Sequence, residues 1–73
     1  MGQQDLSNFL NKHCHFRFRG GKEAFGVIWM SNGSLVFSSK EYHLRVKENR
    51  VKLEQAQLLT IDSDDVMMAE VIV

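Results

Sequence analysis

His13, Cys14 and His15 form the densest group of metal-ligating and nucleophilic side chains in the chain. Two histidines at i and i+2 on a strand can grip a metal if a third ligand arrives, since zinc sites use three or four protein ligands. His43 is the one other histidine. Along a strand Cys14 points away from both neighbours, so the triplet cannot converge on one ion. A Cys–His nucleophile pair fails on the same alternation, because the thiol must lie within hydrogen-bond reach of the imidazole. Cys14 falls in with Phe16 and Phe18, on an apolar face where a thiol is inert packing. No serine nucleophile elbow or Walker loop accompanies it. The expectation is a protein that is not an enzyme, with no catalytic residue, no metal and no cofactor.

A second group could bind rather than react. Arg17, Arg19 and Lys22, with His15, fall on one strand face and are the candidate nucleic-acid-binding residues. Arg45, Lys47 and Lys52 extend the stripe if the middle of the chain lies beside it. Single-strand binding also asks for exposed aromatic rings interleaved with the charge. By parity Phe16, Phe18, Phe25, Trp29 and Phe37 look inward, and only Tyr42 reaches the rim. Glu41, Glu48 and Glu54 dilute the stripe. Nucleic acid is therefore the alternative partner, not the leading one.

The elements that position these residues must come from a short chain. Seventy-three residues make one domain, 1–73, with a small core, and a chain of this size buries only about 60% of the surface its unfolded form exposes. One cysteine allows no internal disulfide, so a further copy is the readiest source of extra buried area. Hydrophobic residues make up 44% of the chain, well outside the composition of disordered segments. No apolar run approaches the ~20 residues of a membrane span. The polar first twelve residues lack the apolar centre of a signal peptide. With the lone cysteine, that points to the cytoplasm. Nine basic and nine acidic residues cancel, yet they are unevenly placed. Lys12, Arg17, Arg19 and Lys22 share a segment with no acid, and Asp62, Asp64, Asp65 and Glu70 share one with no base. Head-to-tail docking of copies and two solvated surfaces both fit that split.

Leu6, Phe9 and Leu10 recur at helical spacing and predict a short helix over 5–12, with Asp5 as its N-cap. From Cys14 the period becomes two. Gly20-Gly21 supplies a tight turn, and the next strand, 22–31, is apolar on both faces. Such a strand is covered on both sides or bent to serve two halves of a barrel. Gly26 removes a side chain midway, as a sharp bend requires. Asn32-Gly33 is a hairpin signal, and 35–38 returns as a third strand. Over 40–59, Ser38-x-x-Glu41 could open a helix as a capping box. However, Tyr42, Leu44 and Val46 alternate, then Val51 and Leu53 after a turn at Glu48-Asn49-Arg50, which predicts a hairpin. Strand returns at 58–61, turn at 62–65, and a final strand at 66–73.

The pattern resembles the Sm-like family of small SH3-like barrels, an N-terminal helix followed by five bent strands. Gly21, Gly26 and Ile28 match the spacing of that family's first motif, Asn32 stands where it has aspartate, and Leu35 matches its apolar position. Val36 stands where the family's base-contacting asparagine would be. Ile61-Asp62-Ser63 replaces the family's Ile-Arg-Gly, and Asp62 would repel phosphate where a cation is needed. The resemblance thus implies the barrel without its RNA site. It also implies subunits joined by strand pairing.

The last strand carries the remaining clue. Val66 to Val73 is apolar but for Glu70, so both faces want cover, and on an edge that invites another chain. A central strand of one closed barrel is the other reading. Val66, Met68, Val71 and Val73 are the candidate interface residues. The expectation is a mainly β fold, a small SH3-like barrel of about five bent antiparallel strands over 14–73. Its expected role is a binding or assembly module that self-associates as a homo-oligomer or docks a protein partner by strand pairing, away from any membrane.

Overall fold

The computed structural model describes residues 6–49, 51–52 and 55–72. The Asp5 cap and the interface residue Val73 lie outside the described residues, as do Arg50, Leu53 and Glu54 of the middle segment. Strands β1 (Cys14–Phe18) and β2 (Glu23–Ser31) flank a turn in which Gly20 and Gly21 take φ of +91° and +89°. Strand β3 (Ser34–Ser38) follows Asn32 and Gly33, at φ of +51° and +80°. Two positive φ angles are what a two-residue type I′ hairpin loop requires. A helix α1 (Lys40–Lys47), a two-residue strand β4 (Leu59–Thr60) and a strand β5 (Val66–Val71) complete the chain.

The protein is mainly β, as expected. The five strands among the described residues form one antiparallel sheet in the order β4-β3-β2-β1-β5. Among the described residues no ladder joins β4 to β5, so the sheet stays open where the barrel expectation had it closed.

β2 is the hinge of this architecture. Its first half, Glu23 to Gly26, pairs with β1, and its second half, Val27 to Ser31, pairs with β3. Gly26 sits at the changeover, and the absence of a side chain there lets β3 close in. The second half is also covered on both sides. Ile28 faces a core with Phe16, Cys14, Leu6, Ile61 and Val66, while Val27 and Trp29 pack with Val36 and Tyr42 under α1. Trp29 Nε1–H donates to Ser38 Oγ at 2.9 Å within this second core. The doubly covered reading of an all-apolar strand therefore holds for this second half.

The first part of the hairpin expected over 40–59 is corrected to a helix, α1 at Lys40–Lys47. Ser39 Oγ accepts the Tyr42 N–H at 3.1 Å and caps α1, one residue later than the capping box Ser38 suggested. The helix buries Tyr42 and His43 and half-buries Val46, leaving Leu44 exposed. Tyr42, expected at the rim, is thus a core residue whose hydroxyl reaches the Lys52 carbonyl at 3.4 Å. Alternation of Tyr42, Leu44 and Val46 misled because His43 behaves as an apolar residue. Positions 42, 43 and 46 form one face of a single helical turn.

The helix expected over 5–12 is shorter and tighter. Leu6–Asn8 is a 3-10 turn, and Asn11 at φ +64° ends the segment with its N–H on the Ile28 carbonyl. Leu6 is buried and Phe9 and Leu10 pack on the same core, so the expected apolar side holds although the backbone differs.

Candidate interaction surface

Cys14 is fully buried in the core, and burial pushes its thiol pKa up, with Lys12 opposing. Its Sγ lies 3.9 Å from the Phe9 carbonyl. A protonated, sealed thiol is a poor nucleophile. His15 projects from the opposite face, its Nε2 2.7 Å from Glu23 Oε1 and its ring stacked on Phe25 at 4.8 Å. Phe25 is 65% exposed, which corrects its assignment to the core. It sits opposite His15 in the ladder, so both rings share the outer face of the sheet. His43 lies away from both, under α1 against Trp29, with Nε2 3.3 Å from Asn11 Oδ1. Burial first, and Lys47 second, hold its pKa below the ordinary value. Among the described residues no three His, Cys, Asp or Glu side chains gather as a metal would require.

The basic stripe is broken up. Arg17 stays on the outer face, 3.9 Å from Glu23. Arg19, next to the glycine turn, is held instead by the residues that precede β5. Its guanidinium donates to the Asp64 carbonyl at 2.8 Å and lies 3.7 Å from the Asp65 carboxylate, while its N–H bonds the Asp65 carbonyl. Basic and acidic segments therefore meet within one molecule. Lys22 alone of the three has no ion pair among the described residues. Arg45 and Lys47 ride on α1, not on a hairpin beside β1. Val36 is buried under α1.

β5 ends the sheet on the side opposite β4. The Ile72 N–H bonds the His13 carbonyl at 2.9 Å, so the antiparallel alternation makes His15–Glu70 and Arg17–Met68 the hydrogen-bonded pairs. The N–H and C=O groups of Ala69 and Val71 consequently point away from β1, to an edge that no described strand covers. Met67, Val71 and Ile72 are 50%, 39% and 38% exposed. Of the interface candidates, Val71 is on this edge and Met68 is half-buried opposite Arg17. Val66 is corrected to a core residue, since it is fully buried. The register shift is the reason, because it breaks the parity that put Val66 and Met68 on one face. Met67 and Ile72 were missed, and for Met67 the signal is absent from the sequence because it is the extra residue of the register shift.

Among the described residues no helix is long and apolar enough to cross a membrane. Family models, curated proteins and solved structures yield no match to this chain.

Proposed function

We propose that this protein is a non-enzymatic assembly module that joins a second copy of itself through the outer edge of β5. The observation that carries the reading is the edge itself, with the backbone groups of Ala69 and Val71 turned outward beside exposed Met67, Val71 and Ile72. An open edge of this kind is a template for another strand, and exposed apolar side chains along it favour a protein over water. The size of the domain adds to the argument, because a core this small gains most from area buried between copies. The sealed thiol of Cys14 and the ion pairs on Arg17 and Arg19 favour assembly over catalysis or nucleic-acid binding.

The strand order and the changeover at Gly26 support kinship with the Sm-like barrels, whose subunits join by strand pairing. A helix between β3 and β4 departs from that pattern, so the kinship argues for edge pairing and not for a ring of any given size.

Size-exclusion chromatography with light scattering tests the reading. The expected result is a dimer or larger species at micromolar concentration, converted to monomer by Met67→Lys with Val71→Lys. A wild-type monomer at the highest soluble concentration removes self-assembly.

A further inference from the structure

Where the sheet fails to close, it leaves a cavity of about 320 Å³ between the β1–β2 turn and β4. Its aromatic lining is Phe18 and Phe37, packed edge to face with centroids 5.5 Å apart. Leu59 stands directly across the ladder from Phe37, so both side chains share a face, and Leu59 is 56% exposed. Ala24 and Ile61 complete an apolar lining. Cavities that hold small molecules begin at roughly 300 Å³ and combine such walls with a few polar groups.

The charged groups here are Arg19, Lys22 and Asp65. Arg19 and Asp65 neutralise each other at 3.7 Å, and Asp65 Oδ2 also accepts the Asp62 N–H at 3.2 Å. Lys22 remains as the one cation of the lining without an ion pair among the described residues. A single uncompensated ammonium over an apolar lining matches a monoanion with an apolar body. A dianion such as a phosphate monoester would meet the Asp65 carboxylate with its second charge, and an amine would meet Lys22.

We propose that this cavity binds a small carboxylate with an apolar tail, of the class of medium-chain fatty acids. The tail lies against Phe18, Phe37 and Leu59, and the carboxylate pairs with Lys22. The proposal does not rest on pairing at β5.

Titration of the ¹⁵N-labelled protein with octanoate, followed through its amide spectrum, tests it. Saturable shifts are expected at Phe18, Lys22, Ala24, Leu59 and Ile61, and octylamine should produce none. Shortening the tail should weaken binding by up to about fourfold per methylene. Lys22→Gln, a surface change that leaves the core intact, should weaken it about two- to fivefold. Ala24→Leu should abolish the shifts by filling the cavity, and the spectrum itself reports whether that variant folds. The proposal is overturned if octanoate gives no saturable shifts in the wild type, if octylamine binds as well, or if Lys22→Gln binds octanoate unchanged.

Discussion

Gly26 and Ser38 approach so closely that a Cβ built on Gly26 would stand 2.5 Å from the Ser38 carbonyl oxygen and 2.6 Å from Phe37 Cζ. Real Cβ atoms do not approach backbone oxygen to that distance. The crowding falls where β2 passes from β1 to β3, so the fold depends on one missing methyl group at its crossing point.

Gly26→Ala should therefore destabilise the protein by about 1–3 kcal/mol or more, the usual cost of overpacking a site whose neighbours cannot move aside. Urea denaturation reads this directly. Because φ at Gly26 is not in the positive region, any loss comes from the neighbours and not from backbone strain.

Trp29 and Ser38 bind β2 to β3 through a buried hydrogen bond of 2.9 Å. Ser38→Ala leaves the indole N–H without an acceptor, and an unsatisfied buried donor costs about 1–3 kcal/mol. The same chemical denaturation checks it. By contrast Arg19→Gln should cost less than about 1 kcal/mol, since its pair with Asp65 is exposed.

His43 makes stability depend on pH. Its folded pKa lies below the unfolded value of 6.5, so below that pH the unfolded chain binds the extra proton and stability falls as the solution is acidified. The loss continues until pH drops past the folded pKa. Around the imidazole, Lys47 on α1 disfavours the charge and Asn11 offers only an amide oxygen. His43→Gln should flatten the fall in urea midpoint between neutral pH and the folded pKa, and an unchanged slope would reject this assignment.

Cys14 should resist thiol reagents. Fully buried and with its pKa raised, it presents little thiolate at neutral pH. Disulfide-exchange labelling should be slow in the native protein and fast in urea. Rapid native labelling would show that the core opens around β1.

Much of this fold was legible because its punctuation is local. Gly20-Gly21 and Asn32-Gly33 demand positive φ and mark both hairpins. The alternation of Cys14 and Phe16 places them in the core. The doubly apolar β2 and its Gly26 foretold a strand that serves two surfaces. What periodicity could not carry was context. His43 is polar by type yet buried against Trp29, so the helix face at 42, 43 and 46 was hidden. Phe25 is apolar by type yet lies on the outer face over His15. The candidate interface was half legible for a related reason. An exposed strand end at Val71 follows from the sequence pattern, whereas the register shift that buries Val66 arises only when β5 meets β1.

The outward amides of Ala69 and Val71 report on the proposed assembly most directly. In hydrogen exchange Glu70, bonded to β1, should be protected at every protein concentration. Ala69 and Val71 should be open in dilute solution and gain protection as concentration rises. If these two amides exchange at the same fast rate while the protein is concentrated, the edge of β5 is not where copies meet.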